Sequence, residues 1–172
     1  MVAGASGSGK TTLAGRLSAL FGLQHIEIDS LYHGPGWTKR ETFLADVRSF
    51  AEESEWVTEW QYDSARPLLT ARTDFFVWLD LPRFSVMSQV VRRTLRRRLR
   101  REALWGVNYE PPMWRFFTDR EHIVRWAWTT YPQTAGRVVQ VREDRPELDV
   151  VRLTSRAEVE RWLHRLAGAG HG

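Results

Sequence analysis

The chain has 172 residues, 42% of them hydrophobic and 27% charged, with a formal net charge of +4, the balance of one soluble globular domain with a substantial core and little room for a second. The absence of cysteine excludes disulfides and thiolate metal or nucleophile sites, and fits a cytoplasmic setting. The longest uninterrupted apolar run, Phe75 to Leu79, falls far short of a hydrophobic membrane span.

In chain order, Met1 to Ala3 reads as the end of a first strand. Three residues are short for a central strand, which leaves two readings: a start upstream of Met1, or an abbreviated strand. "GASGSGKTT", Gly4 to Thr12, follows as a glycine loop, and Thr11 to Phe21 as a helix with Leu13, Leu17 and Leu20 on one face and Gly22 as its stop. "HIEID", His25 to Asp29, reads as a short strand ending in a carboxylate, and Ser30 to Trp37, with two glycines and a proline, as loop. A helix over about Glu41 to Glu53, a strand over Trp56 to Trp60 and a short helix near Ser64 to Ala71 come next. The run within Asp74 to Pro82 suits a strand covered on both faces. A long helix from about Phe84 to Leu104 leads into a tryptophan- and arginine-rich region, 106 to 135, turning at Pro111-Pro112 and then helical. Asp149 to Ser155 reads as the last strand and Arg156 to Ala167 as the last helix. Strands alternating with helices predict an α/β, three-layer fold with a roughly five-stranded parallel sheet and helices on both faces.

The loop has a geometric reason for its glycines. Gly4-x-x-x-x-Gly9-Lys10-Thr11 fits the P-loop pattern, in which bare backbone lets N–H groups converge on phosphate oxygens at the positive end of a helix. Gly4, Ser6, Gly7, Ser8, Gly9, Lys10, Thr11 and Thr12 are therefore the expected ATP-binding residues. Lys10 is expected on the β- and γ-phosphates and the Thr11 hydroxyl on Mg²⁺. Of 25 basic side chains only Lys10 and Lys39 are lysines, so the lysine at position 10 is informative against an arginine background.

The D-x-x-G and N-K-x-D patterns of a GTPase are absent, which argues against that class. Asp29, about twenty residues past Lys10, is predicted at the same sheet edge as the loop. A carboxylate there can orient an acceptor hydroxyl, take its proton, or hold a magnesium-bound water; as an alternative it caps the following turn. Tyr32, His33 and Trp37 offer an acceptor wall. Asp80 reads as the cap of the next helix.

On the Phe84 to Leu104 helix, Val91, Leu95 and Leu99 form one apolar stripe, while Arg92, Arg93, Arg96, Arg97 and Arg100 share an arc about 140° wide at helical spacing. Neighbouring like charges repel by a few tenths of a kcal/mol per pair, a cost that an anionic partner offsets. Three readings stand: transferring phosphates clamped by Arg96 and Arg100, a nucleic-acid backbone, or a solvated basic face.

The stretches "GASGSGKTTLAGRL", "HIEIDSLYHGPGWT", "FFVWLDLPR", "RRTLRRRLRRE", "LWGVNYEP" and "RWAWTTY", in that order, resemble the small P-loop proteins labelled DNA topology modulation protein or adenylate-kinase-like, relatives of the nucleotide kinases. The resemblance implies a single kinase-like domain over 1–172, ATP as donor, and an arginine-rich, lid-like helical region at about 92–135. It also implies that Thr154 to Arg156 sit near the adenine. Where that family commonly reads V-x-D-G-N-Y, this chain has Val57-Thr58-Glu59-Trp60-Gln61-Tyr62. Glu59 keeps a carboxylate, Trp60 replaces a glycine, and Arg66 stands where the family often has arginine, so Glu59 and Arg66 join the expected acceptor residues. The function expected is ATP- and Mg²⁺-dependent phosphoryl transfer to a small-molecule, nucleoside- or nucleotide-like acceptor. The alternative is an ATP-regulated nucleic-acid-binding protein.

Overall fold

The computed structural model describes the backbone of residues 1–100 and 123–169, and the side chains of these residues apart from Trp37 and positions 93–131. Five strands, β1 (Val2–Gly4), β2 (Gln24–Ile26), β3 (Trp56–Thr58), β4 (Phe75–Leu79) and β5 (Asp149–Leu153), alternate with helices. The helices are α1 (Lys10–Phe21), α2 (Ile28–Tyr32), α3 (Phe43–Ala51), α4 (Arg66–Arg72), α5 (Arg83–Arg100), α6 (Ile123–Asp144) and α7 (Arg156–Ala169), with a 3-10 turn at Pro35–Trp37. Among the described residues no helix is long and apolar enough to cross a membrane.

All strand pairs are parallel, as crossover helices require, but the expected five-stranded sheet is divided. β1, β4 and β5 form one three-stranded sheet in the order β1-β4-β5, and β2 pairs with β3 in another. The two meet at a single parallel bridge between Val2 and Glu59, where the Trp60 N–H donates to the Val2 carbonyl at 2.7 Å. Length is the cause. β1 offers three residues, in register with Val77, Trp78 and Leu79, and meets β3 only where Glu59 and Trp60 run past its regular end.

Alternation along the strands sends side chains to two cores. Ala3, Phe76 and Trp78 pack on one face against α3, α4 and α6 through residues such as Phe43, Leu69 and Val138. Val2, Val77 and Leu79 pack on the other against α1 and α7 through Leu13, Leu17, Trp162 and Leu163. Each fully buried Val or Phe contributes about 1.5–3 kcal/mol. The result is a sheet between two helical layers, with every strand's carboxyl end at one edge.

Two local expectations give way. The strand predicted to Asp29 stops at Ile26, and the chain turns into α2 because the buried Glu59 carboxylate accepts the Ile28 N–H at 3.2 Å. On α5 Val86 and Val90 are buried, and Val91, a member of the expected apolar stripe, is exposed; the side chains of the other two members, Leu95 and Leu99, lie outside the described residues. Val90 is drawn inward by the glycine loop described next.

Candidate active site

β1 delivers the chain to the loop at Gly4. Gly7 and Gly9 have φ of 81° and 98°, the left-handed region that favours glycine. A Cβ on Gly7 would stand 2.2 Å from Val90 Cγ2, and one on Gly4 would stand 2.5 Å from Ser8 Oγ. The cradle is therefore closed by helix α5 on one side and cannot hold side chains within. Gly9 is the N-cap of α1 and supplies no side-chain oxygen to its first-turn N–H groups, which leaves the positive end of the helix for an anion. Lys10 is 8% exposed, and its Nζ donates to the Ala5 carbonyl at 3.2 Å. Ser8 Oγ is buried with no hydrogen-bond partner among the described residues. Positive-φ glycines, an uncapped helix start, a buried ammonium and an orphaned hydroxyl together fit a polyphosphate.

Ser6 is half-buried at the loop, and Thr11 and Thr12 are exposed on the first turn of α1. A cleft of about 120 Å³ opens beside Ser8, Gly9 and Thr12 and reaches Gln89 and Arg156 on α5 and α7. Arg16 and Glu160 tie α1 to α7 across it by paired bonds of 2.5 and 2.8 Å.

Asp29 lies in the first turn of α2, past the carboxyl end of β2 and so at the loop's edge of the sheet. Its Oδ1 accepts from Gln61 Nε2 at 2.6 Å and from Tyr62 Oη at 2.5 Å. Tyr62 Oη also lies 3.1 Å from His33 Nε2, and its ring stacks on Tyr32 at 3.8 Å and 9°. Lys39 Nζ stands 5.9 Å from the centre of the Tyr32 ring. Tyr62 is the one described non-glycine residue with positive φ, 62°, a conformation that costs about 1 kcal/mol or more and persists only where its surroundings enforce it. Here the stack on Tyr32, the edge contact with Phe43 at 5.4 Å and the bond to Asp29 enforce it.

Burial, and then the charge of Asp29, push the Tyr62 phenol above its ordinary value. Both effects favour the neutral, hydrogen-bond-donating form of the phenol in the folded protein. A raised folded-state value stabilises fully below the unfolded tyrosine pKa of about 10 and is lost as pH climbs beyond it. Thermal melts between pH 9 and 11 should show wild type losing stability with rising pH and Tyr62→Phe losing less, because Phe keeps the ring and removes the titrating group.

Glu59 is 3% exposed and spends its oxygens inside the protein, on the Ile28 N–H and on His25 Nε2 at 3.3 Å. Trp60 turns into the core, 5% exposed, with Nε1 donating to Thr70 Oγ1 at 2.9 Å and its ring edge-on to Phe76. Arg66 begins α4, stacks over the Trp60 ring at 5.0 Å and bonds Asp63. Asp80 accepts from Arg152 Nε at 2.8 Å rather than capping α5, which starts at Arg83. The structure thus brings Asp29, Tyr32 and His33 together around Tyr62 and sets Arg66 at the turn that follows Tyr62. The Trp37 side chain, the side chains of Arg96 and Arg100, and residues 101–122 of the region expected as a lid lie outside the described residues. Sequence reasoning gave no role to Gln61, Tyr62, Lys39 or Arg137. Gln61 and Tyr62 offered only the signal of a polar pair after the predicted strand, and the partners that place Gln61, Tyr62 and Arg137, Asp29 for the first two and Asp63 for the third, lie 32, 33 and 74 residues away, invisible to periodicity.

A parallel α/β sheet with a glycine loop between its first strand and first helix, open at the carboxyl edge, defines a P-loop kinase-like fold. Two solved structures share it over nearly the whole chain. A sugar kinase from Janibacter sp. HTCC2649 is 19% identical, with a TM-score of 0.51, over 98% of this chain and 89% of that one. A gluconokinase from Sinorhizobium meliloti 1021 is 18% identical, with a TM-score of 0.52, over 99% of this chain and 93% of that one. The sequence matches no protein-family model and no curated protein.

Proposed function

We propose that this protein is a phosphotransferase that moves the γ-phosphoryl of ATP to a hydroxyl of a small-molecule acceptor. The observation that carries this reading is a carboxylate, Asp29, fixed by two donors at the sheet edge that also bears the glycine loop. ATP with Mg²⁺, when bound, supplies the transferable phosphoryl group and neutralises part of its charge. The loop N–H groups and Lys10 hold the polyphosphate, Thr11 would hold the metal with Asp29 reaching it through water, and Arg156 lines the cleft on the side of the base. Both donors to Asp29 fall on Oδ1, so Oδ2 meets the acceptor hydroxyl, orients it and takes its proton. Tyr32, stacked on Tyr62, and His33 wall the acceptor, with Trp37 on the adjoining turn. Glu59 serves by pinning the start of α2, which sets where Asp29 stands. Arg96 and Arg100, carried on α5, neutralise charge on the transferring group.

The printed names of the two structural neighbours, a sugar kinase and a gluconokinase, support a hydroxyl-bearing acceptor. A screen of sugars, aldonates, nucleosides and nucleotides with labelled ATP should label at least one class. Normal ATP binding with no acceptor labelled would overturn the assignment.

A further inference from the structure

The phosphoryl-transfer reading leaves His25 without a role. α2, which carries Asp29, has five residues, far fewer than a helix needs to hold itself in water. Glu27 at its N-cap gives no side-chain oxygen to the first turn, where N–H groups lack partners within the helix. That oxygen comes from the end of the neighbouring strand, where Glu59 Oε2 accepts the Ile28 N–H at 3.2 Å. The other oxygen of the same carboxylate, Oε1, faces His25 Nε2 at 3.3 Å. A carboxylate oxygen accepts, so His25 Nε2 carries the hydrogen of that bond. One buried carboxylate therefore bridges His25 and Ile28 and staples the bend at which β2 turns into α2.

His25 is itself confined. It pairs with Val57 across β2 and β3, and its Nδ1 stands 3.7 Å from where a Cβ on Gly15 of α1 would lie. A carboxylate buried as deeply as Glu59 needs a donor on each oxygen to offset its lost hydration. Among the described residues His25 is the one side chain that supplies such a donor. Asp29 is the residue after Ile28, and its side-chain anchors, Gln61 and Tyr62, belong to the same stretch as Glu59. Residues 59 to 62 thus hold α2 by main chain and by side chain, and His25 fastens the first of these holds.

We propose that His25 is a positioning residue for phosphoryl transfer: through Glu59 it secures the Ile28 N–H at the start of α2, and so sets where Asp29 meets the acceptor hydroxyl. The inference rests on the phosphotransferase reading for the role of Asp29. His25 touches neither substrate nor ATP in this assignment and takes no part in bond making.

Two measurements on the full chain test it. The first needs no turnover: amide hydrogen exchange, followed by nuclear magnetic resonance, at Ile28 and at Val77, whose N–H is held by the Met1 carbonyl in the other sheet. His25→Leu should speed exchange at Ile28 about tenfold or more, the loss expected when a charge-assisted bond is weakened, and leave Val77 unchanged. His25→Gln, which keeps a donor in reach of Oε1, should recover most of that protection. The second is steady-state transfer from Mg²⁺·ATP to the acceptor found in the screen, or to water. His25→Leu should lower kcat about tenfold or more, because small misplacements of a reacting group are costly. The KM for Mg²⁺·ATP should stay within about twofold, since the loop and Lys10 hold the polyphosphate, and His25→Gln should recover most of the lost kcat. A merely structural role would lower the melting temperature without separating kcat from KM. Unchanged Ile28 exchange in His25→Leu, or a His25→Gln variant as impaired as His25→Leu, would overturn the proposal. If kcat falls in Asp29→Asn but not in His25→Leu, positioning by His25 fails. If Ile28 loosens and kcat holds in both variants, it is the catalytic reading of Asp29 that fails.

Discussion

Lys10→Ala should lower ATP turnover by about 10²–10³-fold, the loss expected when one preorganised charge donor to a transferring group is removed. Slow transfer to water serves as the readout before an acceptor is known. The fold should survive: the variant deletes one donor to the Ala5 carbonyl, while the glycine geometry of the loop rests on Gly7, Gly9 and their seat against Val90. Far-ultraviolet circular dichroism and a melting curve close to wild type would establish that. Calorimetric titration with Mg²⁺·ATP should show weakened binding as well, since the ammonium contacts ground-state phosphates. Near-normal kinetics in a folded variant would contradict the assignment of the loop.

Asp29→Asn tests the other end of the reaction. Asparagine keeps an oxygen for Gln61 and Tyr62, so α2 and the stacked tyrosines should remain in place. What it removes is the capacity to take a proton from the acceptor hydroxyl. General-base contributions are typically ~10²–10⁴-fold, and a drop of that size is expected in transfer to the acceptor. The Kd for Mg²⁺·ATP, measured without acceptor, should change by about twofold or less, because the polyphosphate is held by loop and lysine. A variant that loses ATP affinity while keeping transfer to acceptor would place Asp29 on the metal instead of the hydroxyl.

What the sequence discloses tracks how locally each feature is determined. The loop, α1 and β4 were legible because glycine spacing, helical periodicity and a continuous apolar run lie within a dozen residues of chain. Asp29 was legible as a carboxylate beyond the second strand, yet its place in a helix was not. The N–H that starts α2 is satisfied by Glu59, 31 residues on, and nothing near Ile28 announces it. The donors that fix Asp29 are as remote, and Arg137 meets Asp63 across 74 positions. Trp60 stands where the resembled family commonly has a glycine, and its indole finds room in the core, where Thr70 and Phe76 receive it. The division of the sheet was likewise out of reach, since it follows from how far a three-residue strand extends beside its neighbour.

The missing Cβ at Gly7 reaches well beyond the loop. A methyl of Val90 occupies the hollow, so the glycine loop and α5 share a fulcrum one residue wide. From Val90 to Arg100 the helix is a rigid beam of about 15 Å at 1.5 Å rise per residue. A tilt of about 10° at that pivot sweeps the Arg100 backbone through roughly 2.6 Å over such a lever arm, about the span of one hydrogen bond.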